Sequence, residues 1–178
     1  DSTPVKVLKR IGRLFTSLYI WVFRGTPILV WAFFFYFGVP QLIGHSVNIW
    51  VAGALTLSLN SGAYLAEIVR GAVQSVDSGQ MEGARSLGLN HRQAMRRVIL
   101  PQASKIAMPS IINQLVIMIK DSSLLLAIGF GELLYQAQQL YAANFRVTET
   151  LLIVGVMYFV AITILTWLAN IVDRKVNR

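Results

Sequence analysis

Long apolar stretches separated by short polar loops dominate this chain. Residues 25–66 contain no Lys, Arg, Asp or Glu, a run about twice the ~20 residues that one helix needs to cross a bilayer. Turn chemistry at Gly38-Val39-Pro40 and at Gly44-His45-Ser46 divides that run. The pattern predicts one helix over roughly residues 18–37 and a second over roughly 49–69. A third is expected from near residue 106, past Lys120 and Asp121, towards 130, and a fourth over 151–171. Between Glu132 and Glu149 a stretch rich in Leu, Gln and Tyr predicts a short helix near the outer interface, where Tyr is favoured.

Residues 77–101 interrupt this pattern as a polar, basic island. Asp77 with Gln80 has capping-box spacing, as does Asn90 with Gln93. Met81, Ala84 and Leu87 share one face of the first helix, and Gly88 suits the left-handed position that ends it. The second helix is expected to run to about Leu100 and to be disrupted by Pro101. The expected unit is a short helix, a tight turn and a second helix leading into the membrane.

Charge orients the spans. Lys6, Lys9, Arg10 and Arg13 precede the first span, and Arg85, Arg92, Arg96, Arg97 and Lys105 lie in or beside the island. Arg174, Lys175 and Arg178 follow the last span, while the opposite loops hold only Arg146. Positive residues favour the cytoplasm, so both ends and the island are expected there. Charged residues make up only 13% of the 178 residues and the net charge is +8, against about a quarter charged in soluble domains. Cations beside apolar spans argue against nucleic acid as the partner. With no cysteine, disulfides and thiolate metal sites are excluded. His45 and His91 have no ligand-spaced neighbours, so no metal site is expected. No nucleophile–base set is visible, and the absence of any Gly-Lys dipeptide leaves no P-loop for ATP.

The island Glu82-Gly83-Ala84-Arg85-Ser86-Leu87-Gly88, followed nine residues on by Val98-Ile99-Leu100-Pro101, resembles the E-A-A loop of ABC importer permeases. Gly83 stands for the usual first Ala, and Val98 for the usual Ile. Three further motifs resemble the polar amino-acid uptake permeases of the histidine/glutamine/arginine type. They are Tyr19 to Pro27 (YIWVFRGTP), Ser61 to Gly71 (SGAYLAEIVRG) and Lys120-Asp121-Ser122-Ser123-Leu124. The resemblance implies an all-α polytopic membrane protein, a type I ABC importer helix bundle forming a single transmembrane domain over 1–178. Residues 77–101 would be its cytoplasmic coupling loop, with Glu82, Gly83, Ala84, Leu87 and Gly88 meeting the ATPase. It also implies partners: a dimer of ATPase subunits carrying the ATP-Mg, an external or periplasmic solute-binding protein, and a second permease copy, identical or sister. The setting would be the bacterial inner membrane, with the C-terminus cytoplasmic. Such permeases usually have five spans, and four are visible here. The chain opens without an initiator Met or signal peptide, so either the first span is missing or the chain is a divergent member.

Ionisable residues within spans are candidates for the pathway. Arg24, followed by Gly25, Thr26 and Pro27, lies about ten residues into its predicted span, roughly 15 Å deep. A helix broken there exposes backbone groups able to bind a carboxylate. Arg24 either serves the substrate or satisfies the broken carbonyls. Asn60, Tyr64, Glu67 and Gly71 share a helical face, and Glu67 either lines a pathway or simply pairs with Arg70. Ser110, Gln114, Ile117 and Asp121 share a face of the third span, with Asn113 beside it. Asp121 either holds an ammonium, helped by Ser122 and Ser123, or fixes helix packing. A zwitterion needs one anchor of each sign, because unpaired charge in low dielectric is costly. Arg24 with Asp121 or Glu67 supplies such a set. The alternative function is an ion-coupled secondary transporter or channel, which has no need of a coupling helix.

Overall fold

The computed structural model describes residues 3–176, with side chains from residue 5 to 171 and at 173. Arg178 lies outside the described residues, and the Arg174 and Lys175 side chains lie outside them too. The described residues are helical almost throughout. Helix α1 (Thr3–Gly25) is followed by α2 (Ile28–Phe33), a π turn (Phe34–Gly38) and α3 (Val39–Ile43). Then come α4 (Ile49–Gln74), α5 (Ser78–Ser86), α6 (His91–Ala94), a second π turn (Met95–Ile99) and α7 (Leu100–Ser122). A 3-10 segment (Ser123–Ile128), α8 (Leu133–Asn144) and α9 (Val147–Val176) complete the order. Three helical stretches are long and apolar enough to cross a membrane: Ile49–Gln74, His91–Ile128 and Val147–Ile171. A fourth is counted if Val5–Gly25 and Ile28–Ile43, bent by 106°, form one broken span.

The first predicted helix is broken where the Gly25-Thr26-Pro27 sequence expected a break. Residues 18–37 are not one rod, because the chain breaks at Thr26 and Pro27. Pro27 cannot donate a backbone N–H, and the residue before a proline is driven out of the α region. Upstream, Lys6, Lys9, Arg10 and Arg13 belong to α1 itself and recur at i, i+3, i+4 and i+7, one helical face.

Two prolines expected to break the chain are instead absorbed. Val39, immediately before Pro40, donates its N–H to the carbonyl of Phe34, and Leu100, immediately before Pro101, donates to Met95. Each bond reaches back five residues, the π pattern. The helix thus continues through both prolines, and the turn falls at Gly44, whose φ is +74°. The same device makes His91–Ile128 one run of 38 residues.

The chain forms two compact units. The first, Asp1–Tyr64 with Lys120–Phe145, has a core of Ala32, Leu125 and Ile128, joined by Tyr36, Ile49, Leu57 and Phe130. Trp50 meets Phe130 edge-on at 4.6 Å, over Gly53, where any Cβ would run into the Phe130 ring. The second unit, Leu65–Ile119 with Arg146–Arg178, has a core of Ala72, Ala103 and Ala107 with Ile68, Val73, Val76 and Ile111. Its α9 leaves large apolar side chains such as Leu152, Phe159 and Trp167 exposed, as expected of a helix whose solvent is lipid.

Candidate functional site: a broken helix and a polar loop

The break after α1 is held open by its neighbours. The Tyr19 hydroxyl donates to the Leu59 carbonyl at 2.6 Å. The Asn60 amide donates to the Phe23 carbonyl at 3.3 Å, one of the carbonyls left without an intrahelical partner at a helix end. A Cβ on Gly62 would meet the Tyr19 oxygen at 2.8 Å, so glycine there lets α1 dock closely on α4. Arg24 occupies the last turn of α1, where a cation is favoured by the helix dipole. Its guanidinium carbon lies 5.4 Å from the Tyr64 ring centroid, within cation–π range. Thr26 is half-buried at the break.

The other pathway candidates sit in separate surroundings. Glu67 accepts two hydrogen bonds from Arg70, at 2.6 and 2.7 Å, so its carboxylate is part of an ion pair. Gln114 is buried. Asn113, on the adjoining face of α7, lines a cleft of about 260 Å3 with Pro109, Val116, Thr166, Asn170 and Asp173. Asp121 and Ser122 end α7 and are half-buried. Ser123, expected to assist them, donates its hydroxyl to the Lys120 carbonyl at 2.6 Å.

The polar loop is built by its caps. Asp77 accepts the Gly79 N–H at 2.7 Å and starts α5. The reciprocal box with Gln80 does not form, because the Gln80 side chain accepts from Gln102 at 3.2 Å. Helix α5 ends in a Schellman motif: Leu89 N–H reaches the Ala84 carbonyl and Gly88 N–H the Arg85 carbonyl, with Gly88 at φ +85°. A Cβ at Gly88 would meet nothing within 4 Å, so its backbone conformation, and not close packing, demands glycine. Asn90 and Gln93 form the complete capping box that starts α6. Ala84 is buried, and α5 packs on the π turn Met95–Ile99. Leu87, expected on Ala84's face, is 85% exposed. Glu82 and Gly83 are also exposed.

Residues 6–178 match the model of the family "Binding-protein-dependent transport system inner membrane component". The chain belongs to this family. It is 40% identical over 161 residues to the arginine transport system permease protein ArtQ of Bacillus subtilis (strain 168), covering 90% of this chain and 74% of that one. It is 39% identical over 161 residues to the glutamine transport system permease protein GlnP of Escherichia coli (strain K12), with the same coverage. The crystal structure of an amino acid ABC transporter with histidines superposes with a TM-score of 0.85 at 40% identity, over 91% of this chain and 75% of that one.

The protein is therefore an all-helical, multi-pass inner-membrane permease of an ABC import system, and its ATPase is a separate chain. Ion-coupled secondary transport is set aside by this membership. Three contacts of the permease escaped sequence reading. Tyr19 and Asn60 are buttresses of the break, visible only once α1 and α4 are placed together. Trp31 stacks on Phe23 at 4.2 Å, and its buried indole N–H has no hydrogen-bond partner among the described residues.

Proposed function

We propose that this permease carries a polar amino acid, with Arg24, Thr26, Tyr64, Glu67, Asn113, Gln114, Asp121 and Ser122 along its path. The observation that carries the proposal is the Arg24 guanidinium on the Tyr64 ring beside a broken helix. A cation steadied by an aromatic face, next to backbone groups freed by the break, suits a carboxylate. Asp121 is the partner for the α-ammonium, and Glu67 enters as an ion pair with Arg70. The substrates in the names of ArtQ and GlnP are polar amino acids, which supports the same class.

Residues 77–101 are proposed as the coupling loop of a single permease domain over 1–178. The exposed Glu82, Gly83 and Leu87 would meet an ATPase dimer, while Ala84 seats α5 and Gly88 sets the turn. The permease would work as a dimer with an identical or sister chain, receive substrate from a solute-binding protein and keep its C-terminus in the cytoplasm. Closure of the ATPases would then drive alternating access. The experiment is uptake of labelled polar amino acids into liposomes holding the permease, its ATPase and its binding protein, with Asp121→Ala in parallel. ATP-dependent uptake of a polar amino acid, lost in Asp121→Ala with assembly intact, is expected. Uptake unaffected by Asp121→Ala would remove the site assignment, and ATP-dependent uptake of none of them the substrate class.

A further inference from the structure

An open groove of about 830 Å3 runs along the segment between Asn90 and Leu100. Its lining includes Arg92, Arg96, Arg97 and His91 together with the apolar Met95 and Leu100, and no acidic residue. All three arginines are exposed, and none makes an ion pair among the described residues.

Arg92 lies in α6, while Arg96 and Arg97 lie in the π turn Met95–Ile99 that follows it, closed by the hydrogen bond from Leu100 to Met95. All three line the same groove.

The groove lies at the polar end of the apolar run His91–Ile128, in a basic loop of the kind that faces the cytoplasm. Guanidinium forks match phosphate oxygens, and juxtamembrane basic clusters attract anionic lipid. We propose that this groove holds the headgroup of an anionic phospholipid of the cytoplasmic leaflet. Arg92, Arg96 and Arg97 bind the phosphodiester, and Met95 and Leu100 lie along the glycerol and the first acyl carbons. The apolar side of the groove favours a lipid over free phosphate.

The test is native mass spectrometry of the permease assembled with its ATPase, taken from nanodiscs of phosphatidylcholine with and without phosphatidylglycerol. Wild type should retain phosphatidylglycerol over phosphatidylcholine. R92Q/R96Q/R97Q should lose that preference by about tenfold or more, and R96Q alone by about threefold or more. R92K/R96K/R97K should keep part of it, because charge survives without the fork. Unchanged retention in the glutamine variants would overturn the proposal. So would inorganic phosphate displacing the lipid at millimolar concentration, which would mark a simple anion site. Loss of ATPase association by R96Q in pure phosphatidylcholine would also overturn it, by marking a protein contact. ATP-driven uptake by the same variants, in liposomes holding the ATPase and binding protein, is read separately, so that loss of lipid preference and loss of transport are distinguishable.

Discussion

The Arg24 guanidinium rests 5.4 Å from the centre of the Tyr64 ring, so the cation at the end of a broken helix is held by an aromatic face on α4. That contact helps fix the position of the charge.

Removing the aromatic face should weaken substrate capture. A cation–π contact contributes about 0.5–2 kcal/mol, so Tyr64→Leu should raise the KM of ATP-driven uptake by about 2- to 30-fold. Tyr64→Phe retains the ring and should stay near wild type. Initial uptake rates in proteoliposomes measure both.

Asn60 tests the buttress of the break. Its amide donates to the Phe23 carbonyl, and Asn60→Leu would leave that carbonyl unpaired at a cost of about 1–3 kcal/mol. The midpoint of thermal unfolding in detergent should fall, and an unchanged midpoint would show that this bond is not holding α1 to α4.

Gly62 and Tyr19 should be coupled. A methyl on Gly62 crowds the Tyr19 hydroxyl, so Gly62→Ala should destabilise the protein more in the wild type than in Tyr19→Phe. A double-mutant cycle on thermal midpoints reads the difference, and strict additivity would contradict the close approach.

Much of this was legible in the sequence. Helices α4 and α9 declare themselves by long, charge-poor and largely apolar stretches, and the cap at Asn90 and the stop at Gly88 by local chemistry that acts within five residues. The broken helix at Gly25 to Pro27 was readable for the same reason. The π turns were not, because a five-residue hydrogen bond leaves no residue signature. Pro40 and Pro101 therefore look like breaks when they are absorbed. The docking of Tyr19 and Asn60 was hidden because it joins α1 to α4 across about forty positions of sequence. Ala84 and Leu87 look alike on a helical wheel, yet the Schellman turn ends the helix at Leu87 and sends its side chain outward.

Gly83 and Gly88 separate surface from backbone. Gly83 lies inside α5 and a Cβ there meets nothing, so Gly83→Ala should raise stability by about 0.5–1 kcal/mol in thermal unfolding. Gly88→Ala forces an L-residue into the left-handed region and should cost about 1–2 kcal/mol, with no clash.

The most direct measurement of the central claim, a permease driven through the loop 77–101 by a separate ATPase, uses Gly88→Trp. ATP hydrolysis and substrate uptake would be followed together in liposomes holding the permease, its ATPase and its binding protein. The variant should remain in the membrane and hydrolyse ATP while uptake is lost. Uptake coupled to hydrolysis at the wild-type ratio would contradict the assignment of this loop.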